Sequence, residues 1–147
     1  MTSTKQWTIV TVAWIALIFF SSTSLAGRWS EGAFRFIANL LFGQALRSGA
    51  SLYGVIHLVA DKGVHVTLFT VLGILLWMCL PNASKQFILI LLIGTAVGSL
   101  SEYLQFFFPG RDPAIRDVII NVVGTGFGIV AMNSLFAASN KTPPELA

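Results

Sequence analysis

The sequence predicts an all-α polytopic membrane protein with four transmembrane helices and an interfacial or re-entrant helix between the first and the second. The chain has 147 residues, of which 55% are hydrophobic and only 10% are charged, whereas soluble domains carry about 25% charged residues. Its mean hydropathy is +0.80. One soluble core of this length could not bury so much apolar surface, so lipid is the expected solvent. Residues 1–147 are expected to form a single membrane domain.

Four apolar segments approach the length of about 20 residues that crosses the hydrocarbon of a bilayer. Pro81 and Pro109 lie in the short links that join the last three segments, where proline ends helices. An even number of spans puts both termini on the same side of the membrane. The predicted spans cover about residues 7–26, 64–80, 87–108 and 118–137.

The first span also has the features of a signal peptide. Lys5 precedes an apolar run that ends in "SLA" before Gly27, which resembles a small-residue cleavage site. The apolar run is long for a signal, and cleavage would leave an odd number of spans. A retained first span is therefore the favoured interpretation.

The segment of about residues 29–60 is too apolar for an ordinary loop. Its polar periodicity is typical of a helix that lies in the membrane interface. Beyond a break at 47–51, the apolar run 52–60 either re-enters the bilayer or extends the second span. Four polar residues define the polar face of this helix: Arg28, Glu31, Arg35 and Asn39.

Two pairs of glycines have the GxxxG spacing, Gly94 with Gly98 in the third span and Gly124 with Gly128 in the fourth. Small residues one turn apart let helix backbones approach closely within lipid. Because the link between these two spans is short, they are predicted to pack on each other.

The distribution of basic residues decides the orientation only weakly. The side with the termini carries three cations, Lys5, Lys85 and Lys141, and the opposite side carries six. Three of those six belong to a polar cluster where a functional site would also hold them. With these discounted the count is even, and we expect a cell-membrane protein with cytoplasmic termini and an outward-facing loop.

Polar residues from three helix ends are predicted to meet at one face of the membrane. Ionisable groups are costly in a bilayer and usually mark a functional site. They are Asp61, Lys62 and His65 at the start of the second span, Glu102, Gln105, Arg111 and Asp112 at the end of the third, and Arg116, Asp117 and Asn121 at the start of the fourth.

Glu102 lies about 10 Å along the helix before Pro109, inside the hydrocarbon edge, so it must be paired or protonated. Its expected partner is Lys62, Arg111 or His65. Asp117 is expected to cap the fourth span or to interact favourably with its helix dipole.

Six residues of this cluster are the expected ligand-binding residues, and three are candidates for catalysis. The alternative is a purely structural role, in which Gln105, Asn121 and His65 only form hydrogen bonds between helices. The ligand-binding set is Lys62, Glu102, Gln105, Arg111, Asp117 and Asn121, and the catalytic candidates are Glu102, His65 and Asp117.

Other site chemistries find little support in the sequence. Cys79 is the only cysteine, which excludes an internal disulfide and a thiolate metal cluster. The two histidines lack a metal-ligand spacing, so no metal or cofactor is expected. The net charge of +3 forms no basic run of the kind that binds nucleic acid.

The stretch "EYLQFFFPGRDPAIRDVIINVVGTGFG" resembles the signature of VanZ-like membrane proteins, with "DKGVH" and "FFSSTS" as further matches upstream. The resemblance implies a small four-span bacterial membrane protein, in a family whose founding member is associated with teicoplanin resistance. The stretch 27–60 is longer and more apolar than the first loop of that family. The matching residues are Asp61, Lys62, His65, Glu102, Gln105, Pro109, Gly110, Arg111, Asp117, Asn121, Gly124 and Gly128.

Three functions are compatible with these features. The first is a non-enzymatic protein of the cell envelope in which Arg111 and Lys62 hold the anionic group of a membrane lipid or a lipoglycopeptide such as teicoplanin, which carries an acyl chain. The second is an intramembrane enzyme that modifies a lipid headgroup, with Glu102 as acid or base. The third is a proton-coupled carrier with Glu102 as the proton relay. It ranks last because four short spans are few for a carrier protein. The sequence does not determine the oligomeric state.

Overall fold

The computed structural model describes residues 4–47, 50–80 and 86–139, with their side chains except at 41–53 and 139. Over these ranges the protein is all-helical. Every helix but the second is long and apolar enough to cross a membrane, which confirms the predicted class of a multi-pass all-α protein. The helices are α1 (Thr4–Ser21), α2 (Ser24–Arg47), α3 (Ala50–Cys79), α4 (Gln86–Gln105) and α5 (Ile115–Ser139).

The first apolar run, predicted to continue to residue 26, is divided between two helices. The hydroxyls of Ser21 and Thr23 donate to the carbonyls of Ile18 and Phe20, at 2.6 and 2.8 Å. The Thr23 hydroxyl also accepts the amide of Ala26 at 3.3 Å, which is the contact of a helix N-cap. The amides of Ser22 and Thr23 donate to carbonyls three residues back, those of Phe19 and Phe20, so the regular α-helical pattern ends here and α2 begins after Thr23.

The run 52–60 extends the second span, because α3 is one continuous helix of 30 residues. α2 ends at Arg47, and residues 48–49 of the predicted break lie outside the described residues. So do the link 81–85, with Pro81 and Lys85, and the C-terminal Lys141. The interfacial position of α2 stays a prediction.

The core lies between the four apolar helices. Phe69, Leu72 and Leu76 on α3 are almost completely buried, and residues of the other three helices pack around them. α1 contributes Ile18, α4 contributes Ile90 and α5 contributes Ile129.

The four glycines of the GxxxG pairs pack against two different helices. A Cβ on Gly94 would lie 2.5 Å from the Thr125 hydroxyl oxygen, so α4 packs on α5 as predicted. Gly124 and Gly128, by contrast, face α3, where a Cβ would collide with the backbone of Val66 and of Thr70 respectively. The glycine motif of α5 thus brings α3 close and leaves α4 to pack on the neighbouring face.

α1 is attached to this group of helices by polar contacts as well as apolar ones. The indole of Trp14 donates to the carbonyl of Leu68 at 2.9 Å. The hydroxyls of Ser22 and Ser101 are 2.7 Å apart, joining the end of α1 to α4. The Cys79 thiol lies 3.0 Å from the Thr11 hydroxyl.

Replacing Trp14 with Phe is expected to destabilise the protein by about 1 kcal/mol, because it removes one interhelical hydrogen bond. The measurement is the free energy of unfolding in an SDS titration of the detergent-solubilised protein. Trp29, with 76% of its surface exposed, offers the matched control, and Trp29→Phe should leave stability unchanged. Equal losses from the two variants would contradict a specific role for the Trp14 bond.

Candidate functional site

The segment between α4 and α5 folds back through two tight turns. The amide of Phe108 donates to the carbonyl of Gln105 at 3.1 Å, and that of Arg111 donates to the carbonyl of Phe108 at 3.2 Å. Gly110 has a φ of 79°, a conformation that glycine adopts without steric penalty. The start of α5 is thereby brought beside the end of α4.

Glu102 is buried in the crook of this connection, with 5% of its surface exposed. Its Oε1 accepts a hydrogen bond from Gln105 Nε2, and its Oε2 accepts one from the amide of Ala114, both at 3.2 Å. The first amides of a helix have no partner within the helix, and the carboxylate supplies one. The expected hydrogen bonds from Lys62, Arg111 and His65 to Glu102 are not formed.

Lys62 instead lies between two other carboxylates. Its Nζ is 2.8 Å from Asp117 Oδ2 and 2.9 Å from Asp61 Oδ2. Asp117 is in the first turn of α5, where a negative charge interacts favourably with the helix dipole. Its second oxygen, Oδ1, is buried and accepts no hydrogen bond from a described residue, although Arg116 Nε lies at ion-pair distance, 3.8 Å away.

His65 and Asn121 form the next contact across α3 and α5. Nδ1 of His65 lies 3.0 Å from Oδ1 of Asn121, and Asn121 is completely buried. When Nδ1 carries the proton and donates it to this oxygen, the lone pair is on Nε2. The amide nitrogen of Asn121 has no hydrogen-bond partner among the described residues.

The three candidate catalytic residues converge from three helices. One ring nitrogen of His65, one carboxylate oxygen of Glu102 and one of Asp117 all lie within 4.8 Å of one another. An imidazole and two carboxylates at this separation can exchange protons or bind a cation. The three residues were recognisable as candidates in the sequence. Their convergence was not, because residues from three different helices show no short characteristic spacing along the chain.

Arg111 is placed apart from these acids. Its Nη2 donates to the carbonyl of Ser21 at 3.0 Å, one of the last carbonyls of α1, which lack partners within the helix. Nε of Arg111 is buried and makes no hydrogen bond with a described residue. A Cβ on Gly27 would lie 3.1 Å from Nη1, so the glycine makes room for the guanidinium.

A cavity of about 890 Å³ opens between the α1–α2 junction, α3 and the turn after α4. That volume is in the range of small-molecule sites. His65 and Asp61 connect it to the polar cluster. Its other charged or titratable lining residues are Arg28, Glu31, Arg35, His57 and Arg111.

Glu31 and His57 line the cavity but were not predicted as site residues. The sequence placed Glu31 and Arg35 on one face of a helix and gave no role to His57. Glu31 Oε1 is 2.6 Å from Arg35 Nε, and its Oε2 is 2.6 Å from His57 Nε2. The ring of Phe34 packs edge-on against His57, with 4.9 Å between centroids. Pairing between α2 and α3 could not be read from spacing, since the partners are far apart in the chain.

Two arginines at the cavity form no ion pair with an acidic side chain of the described residues. Glu31 is engaged by Arg35, and Asp61 by Lys62. Arg28 and Arg111 also line the cavity, and neither forms an ion pair with a described residue. Such a cavity favours an anion.

A protein-family model described as VanZ/LLP1 matches residues 7–136. That range includes all five helices except the first three residues of α1 and the last three of α5. No curated protein and no solved structure matches the chain.

Proposed function

The chain belongs to the VanZ/LLP1 family, and we propose that this multi-pass membrane protein binds an anionic amphipathic ligand in the cavity beside Arg111. The ligand class is an anionic lipid or a lipoglycopeptide of the teicoplanin type. Both combine a charged polar part with an acyl chain. The observation that carries the proposal is the unpaired Arg111 guanidinium at the wall of a cavity of about 890 Å³.

Arg111 has the donors that such an anion needs. A guanidinium has five N–H donors in a fixed fork that matches a carboxylate or a phosphate. In Arg111, Nη2 is bound to the Ser21 carbonyl, and no other donor of the group has a hydrogen-bond partner among the described residues. Arg28 lines the same cavity and adds a second positive charge.

The apolar part of the ligand also finds suitable surroundings. Phe34, Val64 and Leu68 line the cavity beside its charged groups. Val64 is 55% exposed on a helix that is long and apolar enough to cross a membrane. A ligand could therefore place its anionic group on the arginines while its acyl chain lies along α3.

Lys62, in contrast, contributes to the site indirectly. Its ammonium group lies between Asp61 and Asp117, so it has little capacity for an external anion. Gln105 is likewise occupied by Glu102. In this proposal the two residues hold Asp61 and Glu102 in position through these contacts, and Arg111 makes the contact with the ligand.

Replacing Arg111 with Ala is expected to weaken binding of an anionic amphiphile about 10- to 100-fold, since hydrogen bonds to charged groups contribute about 1.5–3 kcal/mol. Binding is measured by microscale thermophoresis on the protein in nanodiscs of zwitterionic lipid, with phosphatidylglycerol, teicoplanin and inorganic phosphate as separate probes. Arg116→Ala is the matched control, because that side chain is 68% exposed and does not line the cavity.

The three probes separate the possible sources of the anion. Binding of phosphatidylglycerol or of teicoplanin that is lost in Arg111→Ala and kept in Arg116→Ala supports the proposal and identifies the ligand class. Equal affinity in wild type and Arg111→Ala, or binding of inorganic phosphate as tight as that of the amphiphiles, contradicts it.

A catalytic role is the second candidate, favoured by the convergence of His65, Glu102 and Asp117 within 4.8 Å. In that case Glu102 serves as acid or base on a lipid headgroup that enters through the cavity. Mass spectrometry of lipids that co-purify with wild type and with Glu102→Gln distinguishes the two functions. A chemically altered lipid that accumulates in the variant favours catalysis, and an unaltered lipid common to both favours binding.

A further inference from the structure

We propose that His65, Glu102 and Asp117 form a binding site for a divalent transition-metal ion. The three side chains offer one nitrogen and two oxygens within 4.8 Å of one another. The spacing of the histidines gave no reason to expect a metal. The site depends on the arrangement of α3, α4 and α5, and it requires no ligand in the neighbouring cavity.

The charge balance of the cluster favours a cation. Three carboxylates, Asp61, Glu102 and Asp117, lie around the ammonium group of Lys62, which contacts two of them, and the largely exposed Arg116 comes no closer than 3.8 Å to Asp117. Glu102 and Asp117 are each only 5% exposed, so water screens little of their charge. A buried carboxylate must be protonated, paired with an opposite charge or coordinated to a metal, and one divalent cation would serve both Glu102 and Asp117.

An independent indication is the unsatisfied oxygen of Asp117. Oδ1 is buried and accepts no hydrogen bond from a described residue, although the side chain is only 7% exposed. Buried polar atoms are rarely left without a partner, and a bound ion is one such partner. Oδ2 is held by Lys62, whereas Oδ1 has Arg116 Nε at 3.8 Å, too far for a hydrogen bond, so it retains the capacity to bind a metal.

His65 is oriented in the manner of a metal ligand. Metal-bound histidines usually donate their second ring N–H to a carbonyl or carboxylate, which fixes the tautomer. Here Nδ1 lies 3.0 Å from Asn121 Oδ1, so donation to that oxygen leaves the Nε2 lone pair for the ion. Asn121 is a positioning residue in this site.

The ligand distances fit after a small contraction. Bonds of about 2.0–2.2 Å to zinc place tetrahedral ligands about 3.5 Å apart, so the three side chains must draw together by about 1 Å. One imidazole with two carboxylates suits zinc or manganese better than a purely oxygen-binding ion. Since His65 lines the cavity, ions can reach the site from solvent.

The test is metal binding by the purified full-length protein in detergent, after removal of metals with EDTA. Zn²⁺ and Mn²⁺ are added separately and measured by isothermal titration calorimetry and elemental analysis. We expect one ion per chain. Glu102→Gln and Asp117→Asn should each weaken binding more than tenfold, because losing even an outer-sphere partner weakens metal sites about 10- to 100-fold.

Two control variants test whether losing any carboxylate, or any histidine, is enough to weaken metal binding. Asp112→Asn removes an exposed carboxylate of the same connecting segment, and His57→Gln removes the only other imidazole of the chain. Both should bind the ion as wild type does. Affinity that is unchanged in Glu102→Gln and Asp117→Asn, or lost equally in His57→Gln, would overturn the proposal.

A measurement on wild type decides the question even if the cluster variants do not fold. Electron spin echo spectra of the Mn²⁺-loaded protein should show the coupling of one directly bound imidazole nitrogen. Absence of nitrogen coupling, or less than one bound ion per chain at saturation, would overturn the site. Neither result bears on the Arg111 proposal, whose readout is amphiphile binding in the presence of EDTA.

Discussion

Replacing Lys62 with Met is expected to lower the free energy of unfolding by about 3–5 kcal/mol, because it leaves the buried carboxylate of Asp117 without the ammonium group that neutralises it. The Lys62 ammonium lies 2.8 Å from Asp117 and 2.9 Å from Asp61. Asp61 is 41% exposed at its side chain and can turn to water, whereas Asp117 is 7% exposed. The loss therefore comes mainly from Asp117.

A double variant separates the loss of the ion pair from the loss of packing. Lys62→Met/Asp117→Asn should recover most of the stability, since replacing both partners of a buried pair is often close to neutral. SDS titration in the presence of EDTA measures all variants without bound metal. Lys5→Met, at an exposed lysine of α1, should change nothing. A double variant no more stable than Lys62→Met would mean that the Lys62–Asp117 pair is not the cause.

The second large effect is expected from Gly128→Ala, which should destabilise the protein by about 1–3 kcal/mol through overpacking. A Cβ on Gly128 would collide with the carbonyl of Thr70 and lie 2.9 Å from the amide of Ile74. Both are backbone atoms of α3, so no side-chain rotation can relieve the collision. The two helices must move apart.

Gly126 provides the matched control on the same helix. A Cβ there has no neighbour within 4 Å, so Gly126→Ala should be neutral or slightly stabilising, given the higher helix propensity of Ala. The free energies of unfolding of both variants are compared with that of wild type in one detergent. If Gly126→Ala destabilises the protein as much as Gly128→Ala does, the close approach of α3 and α5 is not the reason.

The helices themselves were predictable because lipid imposes simple constraints on the sequence. About 20 apolar residues are needed to cross the hydrocarbon, so the four spans can be recognised from the hydropathy of the sequence alone. The polar cluster was predictable for the same reason, since charged residues within apolar segments are conspicuous. Glu102, Asp117 and His65 could each be named without knowing how the helices pack.

The end of the first helix was not predictable from hydropathy. Serine and threonine occupy residues 21–24, and apolar Leu25 and Ala26 follow them, so the predicted span continued to residue 26. Such hydroxyls bond to nearby carbonyls inside many membrane helices without ending them. The contact of Ser22 with Ser101 of α4 accompanies the break, and hydropathy does not reveal such a contact between helices.

The partners of the polar residues were also beyond the sequence. Glu102 was expected to be protonated or to pair with Lys62, Arg111 or His65, and its Oε2 accepts a hydrogen bond from the Ala114 amide, because the turn at Gly110 brings the start of α5 to it. Helix spacing identifies residues that share a face, but it does not indicate which helix lies opposite. The glycine motif of α5 illustrates the same limit, since Gly124 faces α3 and Gly94 of α4 faces Thr125.

The length of α3 makes the depth of the polar cluster depend on the host membrane. At about 1.5 Å per residue, its 30 residues measure about 45 Å, against about 30 Å of hydrocarbon. With Cys79 taken as one hydrocarbon boundary, a span of about 30 Å places the other boundary near Asp61 and His65 about one turn deeper. Lipids with long acyl chains would bring Asp61 and Lys62 under the headgroups, whereas short chains would leave them hydrated. Hydrophobic mismatch would thus adjust the hydration of the cluster while its contacts stay the same.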